Sequence, residues 1–156
     1  MTMILRRRES ADIATIVGWV PDRDALHQFS GTSLDWPLTE SQLSALDEID
    51  GRTAWVLVHG TNPNAPVGHA DLTLSGNVCR IGRVIVAPDR RGHHLGSILM
   101  VLVLEKARDL GASRADLYVL EGNMPALRIY ERLGFTEKQR SDHPGMVAMA
   151  MELSAS

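Results

Sequence analysis

Apolar residues recur along the chain at two periods, one near 3.6 and one near 2, and together they divide it into helices and strands. Residues 3–8 (MILRRR) set Ile4 and Leu5 ahead of three arginines and predict a first strand that ends in water. Ile13, Ile16, Val17 and Val20 follow at helical spacing behind Ser10, a candidate N-cap, and Pro21 closes that helix. Residues 22–37 show neither period and read as irregular chain holding His27, Phe29, Ser30 and Trp36. Thr39-Glu40-Ser41-Gln42 fits a capping box for a short helix through Leu43 and Leu46, ended by Gly51. Residues 53–59 are rich in β-formers, and 60–66 are turn material. From Val67 to Leu74 the pattern alternates, with Ala70, Leu72 and Leu74 on one face and His69, Asp71 and Thr73 on the other. Ser75-Gly76-Asn77 makes a tight hairpin into residues 78–86.

Residues 97–110 form a helix that is apolar all round in its first two turns, hence deeply buried, with Gly111 as its C-terminal glycine. Residues 114–121 are a further strand, joined to the last one through a helix and so expected to lie parallel to it by a right-handed crossover. Asn123 caps a helix that admits Pro125 in its first turn and stops at Gly134, with Ala126, Leu127, Tyr130 and Leu133 on one face. Residues 135–139 and 146–153 read as two closing strands about a turn with Pro144 and Gly145. The order β-α-α-β-β-β-α-β-α-β-β predicts an α/β (α+β) domain. Its sheet is mixed, mostly antiparallel and of about seven strands, with one parallel pair and helices on both faces.

At 156 residues, 44% hydrophobic and a net charge of −3, the chain is expected to be one soluble domain spanning residues 1–156. A lone cysteine, Cys79, excludes an internal disulfide framework and suits a reducing compartment. Residues 1–8 turn basic before any long apolar run, and the longest such run is the seven residues 98–104. No secretory leader or membrane span is expected, and the cytoplasm is the natural location. Charge is unevenly placed. Residues 21–50 hold seven carboxylates (Asp22, Asp24, Asp35, Glu40, Asp47, Glu48, Asp50) against Arg23 alone, whereas residues 80–94 hold four arginines against Asp89. The first region suits a cation or is solvated loop; the second suits a polyanion. No basic surface interleaved with aromatics points to nucleic acid.

The chemistry concentrates in residues 84–104. The β-branched triplet Val84-Ile85-Val86 ends a buried strand, Pro88 stops its ladder, and Arg90-Arg91-Gly92-His93-His94-Leu95-Gly96-Ser97 leads into the buried helix. A strand, a basic glycine-bearing loop and a helix N-terminus make an anion site, because loop and first-turn amides lack intrahelical acceptors and the helix dipole favours negative charge. Arg90 and Arg91 add guanidinium groups suited to phosphate oxygens. A diphosphate clamp is the reading. It is not a Walker A loop, which needs a Lys after its second Gly and one more residue between the glycines, and G-x-G-x-x-G is absent. His93 and His94 are sequence neighbours with no third ligand nearby, so no metal is expected.

The segment Val-Ile-Val-Ala-Pro followed by Arg91-Gly92-His93-His94-Leu95-Gly96 resembles the acyl-CoA-binding motif of the GCN5-related N-acetyltransferases (GNAT). It matches at Arg91 and Gly96 and departs at His94, where that family usually has glycine, a change tolerated if φ there is negative. Asn123-x-x-Ala126-x-x-x-Tyr130-x-x-x-Gly134-Phe135 resembles the family's second signature, and the order of elements is the family's order. The resemblance implies acetyl (or other acyl) transfer from acetyl-CoA to an amine, without a metal. Backbone groups of Val84, Ile85 and Val86 would pair with the pantetheine arm as an added strand. Amides of Arg91, Gly92, His93, His94, Leu95, Gly96 and Ser97 would hold the pyrophosphate, beside a split between the two parallel strands. Asn123 would bind the arm and Tyr130 would protonate the departing thiolate. The base is less determined: His69 has a suitable ordinary pKa, and a water relay is the alternative.

The expected partner is a small-molecule or peptide amine, and the acidic stretch favours a cationic one such as a polyamine, an aminoglycoside or a basic peptide terminus. Two other classes stand beside this one. A non-catalytic acyl-CoA sensor would bind CoA without releasing thiol; a regulatory module would use its closing strands to form a homodimer.

Overall fold

The computed structural model describes residues 2–138 and 144–153. Strand β1 (Met3–Arg7) leads into three helices, α1 (Ser10–Val17), α2 (Arg23–Ser30) and α3 (Glu40–Ala45). A meander of β2 (Arg52–His59), β3 (Gly68–Ser75) and β4 (Val78–Val86) comes next. Helix α4 (Leu95–Asp109) crosses to β5 (Arg114–Leu120), and α5 (Met124–Leu133), β6 (Thr136–Glu137) and β7 (Met146–Glu152) complete the chain. One seven-stranded sheet results, in the order β1-β2-β3-β4-β5-β7-β6. Every neighbouring pair is antiparallel except β4 and β5, which run parallel, as the helical crossover between them requires.

The helices cover both faces. Leu95, Leu99, Met100, Val103, Leu104 and Ala107 of α4 and Leu127 and Tyr130 of α5 bury against Leu57, Ala70, Leu72, Ile81, Leu117 and Met149 on one side. On the other, α1–α3 bring Ile13, Ile16, Leu26, Phe29 and Leu43 onto Val56, Val58 and Ala87. Gly76, at φ +60°, makes the two-residue turn from β3 to β4. Gly111, at φ +95°, ends α4 as its amide bonds the Arg108 carbonyl while that of Ala112 bonds the Ala107 carbonyl, a Schellman closure.

Four details differ from the sequence expectation. Residues 22–37 are not all irregular: Asp22 accepts a 2.8 Å bond from the Ala25 amide and opens α2, which buries only Leu26 and Phe29. Glu9, not Ser10, is the cap of α1, and the Asp12 carboxylate accepts the Glu9 amide at 2.7 Å. Helix α4 begins at Leu95, two residues before Ser97. Strand β6 is confined to Thr136–Glu137, and Gln139, the expected end of that strand, lies outside the described residues.

Candidate active site

The sheet parts between its two parallel strands. The β4–β5 ladder runs from Val78–Arg114 to Ile81–Leu117 and stops there; beyond it β4 continues to Val86 paired only with β3. A β-bulge causes the parting. Between the pairs Asp71–Gly82 and His69–Ile85, β4 spends one residue more than β3, and Arg83 adopts φ +47°. An inserted residue bends its strand and sharpens the local twist, which carries the end of β4 away from β5. Residues 82–86 therefore present one backbone edge to the opened slot, including the predicted Val84, Ile85 and Val86.

His69 holds this bulge. Its Nδ1–H donates to the Arg83 carbonyl at 2.9 Å, and its Nε2 accepts from Arg8 Nη1 at 3.2 Å. The ring is 0% exposed and packs on Phe29 at 5.8 Å. Burial, helped by the Arg8 and Arg83 charges and opposed by Asp71, pulls its pKa down to about 4. Its lone pair faces Arg8 and its ring, expected to offer a general base, is sealed from solvent, where it ties β3 to the bulge. A stability signature follows. The ring is neutral in the fold but a cation in the unfolded chain below about pH 6.5. Its contribution is complete above pH 6.5 and is lost as pH falls toward 4, about 3 kcal/mol in all. Urea midpoints measured from pH 7 to pH 4 should fall more steeply for the unmutated protein than for His69→Asn.

The slot ends at the loop between β4 and α4. Pro88–Arg90 makes a single 3₁₀ turn, Arg91 lays its Nε on the Val86 carbonyl at 3.3 Å, and Gly92 takes φ +84°. His94 is left-handed, at φ +61°, against the expected negative φ. Where the family motif has glycine, this chain keeps the glycine-like backbone and spends histidine on it, a residue type that tolerates this region better than most. Asp22, Thr39 and Asn123 each cap their helices with a side-chain acceptor, whereas His94 gives α4 none. The first helical bond is from the Ile98 amide to the His94 carbonyl at 3.2 Å, which leaves the amides of Leu95, Gly96 and Ser97 ahead of it. Leu95 and Leu99 anchor this turn in the core, so the amides are fixed in direction. A Cβ on Gly96 would come within 3.2 Å of Ile129, so a glycine here also lets α4 approach α5.

Helix α5 follows the other wall of the slot. Asn123 Oδ1 accepts from the Ala126 amide at 3.4 Å, which leaves its amide nitrogen for other partners. Tyr130 is 7% exposed, set edge-on to Phe135 at 5.8 Å, and burial pushes its hydroxyl up to about 12. Cys79 is fully buried, and burial raises its thiol to about 11, consistent with packing.

Beside the bulge, on the face covered by α1–α3, lies a set of polar residues that the sequence did not reveal. Asp71 receives Arg52 Nη2 and, at 3.1 Å, Arg83 Nη1. Arg83 Nη2 donates to Ser33 Oγ at 2.9 Å, and Arg8 Nη2 to Asp47 at 2.5 Å. A Cβ on residue 82 would lie 2.9 Å from Asp71 Oδ1, so Gly82 makes the room this carboxylate occupies. Of the acidic stretch, Asp22 is engaged in capping α2 and Asp47 in pairing Arg8. The sequence signals only that His69 and Asp71 share a face of β3; their arginine partners come from β2, from β4 and from the residue after β1. Among the described residues there is no cluster of three metal-ligating side chains, and no helix is long and apolar enough to cross a membrane.

The family model for the acetyltransferase (GNAT) family matches residues 23–135, from the start of α2 to Phe135, two residues past α5. The chain belongs to the GNAT acetyltransferase family. As a GNAT chain it is similar to the mycothiol acetyltransferase of Saccharomonospora viridis, with 32% identity over 125 residues that cover 75% of this chain and 38% of that one. A shorter match, 48% identical over 59 residues, links it to the mycothiol acetyltransferase of Thermomonospora curvata, covering 36% of this chain and 20% of the relative. The matches thus span about half or less of these relatives' own lengths. In structure, a domain from Methanocaldococcus jannaschii superposes with a TM-score of 0.79 at 20% identity, covering 97% of this chain and 99% of that one. The spermidine N-acetyltransferase of Vibrio cholerae, solved with CoA and spermine, gives 0.77 at 17% identity over 97% and 95%. These likenesses establish the GNAT fold, the acyl-CoA N-acyltransferase architecture of a split mixed sheet.

Proposed function

We propose that this chain transfers an acetyl group from acetyl-CoA to a primary amine by direct attack of the amine on the thioester. The observation that carries the reading is the uncapped first turn of α4, standing where the free edge of β4 ends. The residues suit such a donor. The edge of residues 84–86 that is turned away from β3 can take an extended pantetheine arm, with Arg91 Nε on the Val86 carbonyl at its end, and the amides of residues 91–97 offer donors, with the helix dipole behind them, to a diphosphate. The thioester supplies an acyl carbon open to attack; the chain orients it in the slot and keeps water from it.

Tyr130 supplies a hydrogen bond to the departing sulfur. A phenol held near 12 remains protonated at any working pH. It is too weak an acid to surrender its proton fully to a thiolate of ordinary basicity, so it stabilises the sulfur by donation. With His69 unsuited as a base, water carries the proton away from the amine, and the attacking species is the neutral amine already present in solution. Two pH consequences follow. The logarithm of kcat/KM should climb with pH toward the acceptor's own pKa without an inflection between 6 and 7, and no falling limb should appear up to pH 10.

Thiol release from acetyl-CoA, stimulated by a panel of amines, tests the reading. Calorimetric binding of CoA with no release from any amine would make the protein a sensor, and no CoA uptake at all would remove the diphosphate site.

A further inference from the structure

We propose that Arg83 is the anchor for a carboxylate on the acceptor, so that the preferred substrate carries an amine and a carboxylate on one small molecule. The inference rests on the acetyl-transfer reading above and names the acceptor class for that same site.

The argument begins with charge. Three guanidinium groups, Arg8, Arg52 and Arg83, crowd the α1–α3 face beside the bulge, with side chains 3%, 7% and 11% exposed. Two carboxylates answer them: Asp47 pairs with Arg8, and Asp71 is shared by Arg52 and Arg83. His69, the other titratable neighbour, is neutral at its lowered pKa. Among the described residues one cation is in excess, and of the two arginines that share Asp71 it is Arg83 that keeps a buried donor without a partner. A cation this far out of water is costly without an anion of its own.

The shape of Arg83 says where that anion would sit. A guanidinium grips a carboxylate side-on through its Nε–H and the Nη2–H beside it, two parallel donors on one edge. On Arg83 the opposite nitrogen, Nη1, is the one taken by Asp71. The side-on edge carries only Ser33 Oγ on Nη2, and Nε is buried with no partner among the described residues. A buried donor left unmatched in this way needs an explanation. A single hydroxyl from an exposed loop is covering an edge built for two oxygens.

Position and strain complete the case. Arg83 lies two residues past Ile81–Leu117, the last pair of the parallel ladder, and therefore at the mouth of the slot. The Ser33 loop overhangs that mouth: a Cβ on Gly31 would lie 3.5 Å from Met146, which pairs with Leu120 at the far end of β5. The φ of +47° at Arg83 is unfavourable for a residue with a side chain, and such strain gathers at functional positions. A carboxylate entering under this loop displaces Ser33 Oγ, fills both tines of the fork and leaves its amine facing the slot.

The test compares acceptors that differ only in the carboxylate: an α-amino acid, its primary amide and its decarboxylated amine, each followed by thiol release from acetyl-CoA. The expected result is an acceptor KM at least tenfold lower for the carboxylate member, with the acetyl-CoA KM the same across the set. Arg83→Gln should abolish the preference and Arg83→Lys should keep part of it, having the charge but not the fork. Equal acceptor KM values across the set in the unmutated protein overturn the proposal while leaving acetyl transfer intact. No thiol release with any amine overturns acetyl transfer, and this proposal with it. The comparison on the unmutated protein decides the matter even if Arg83→Gln does not fold.

Discussion

Replacing Tyr130 with phenylalanine should lower kcat for thiol release by about 10²- to 10³-fold while leaving the acetyl-CoA KM within about twofold, the size of loss expected when one positioned donor is taken from a developing anion. The change removes one oxygen and keeps the ring that packs on Phe135, so the fold has little reason to suffer. A loss confined to kcat is the mark of an interaction made only as the sulfur departs. A variant that retained half or more of the rate would mean that the hydroxyl is only the wet end of a core residue.

The second large effect concerns stability. Asp71→Asn should lower the unfolding free energy by about 3–5 kcal/mol, because it removes the carboxylate from between Arg52 and Arg83 and leaves both cations buried without their partner. Denaturant midpoints would show it. The Arg52→Met, Asp71→Leu double change should cost less than the sum of its parts, as a deleted pair is cheaper than a broken one. Additivity would mean the two charges are solvated after all. These two substitutions separate the two proposed roles: Tyr130 in the reaction and Asp71 in holding the polar side together.

What could be read from the sequence was what is local. Val84-Ile85-Val86, then Pro88, Arg91 and Gly96, announced a strand, a stop and an anion loop in consecutive residues, and Asn123 to Phe135 did the same for α5. The parallel pair followed from the length of the crossover. The Arg8, Arg52, Asp71 and Arg83 set is hidden because it joins three strands and the residue after β1 through a register that a bulge shifts, and nothing in the alternation of β4 marks that bulge. Helix α2 was missed because Leu26 and Phe29 are its only core positions, too few to set a period against a polar background. Its cap, Asp22, was the one usable sign. At His94 the residue type alone does not tell the sign of φ, and the chain keeps the left-handed conformation and accepts its cost.

The tie from Arg8 to His69 has a kinetic consequence. Arg8 follows the first strand and His69 sits on the third, sixty-one positions later, so the clamp on the bulge closes only when the chain's start has come home to the sheet. The β2-β3-β4 meander is made of short-range hairpins whose loops are cheap to close, and its pairings do not need the first strand. A chain whose first strand is not docked on β2 would therefore hold its meander without the tie that fixes the bulge.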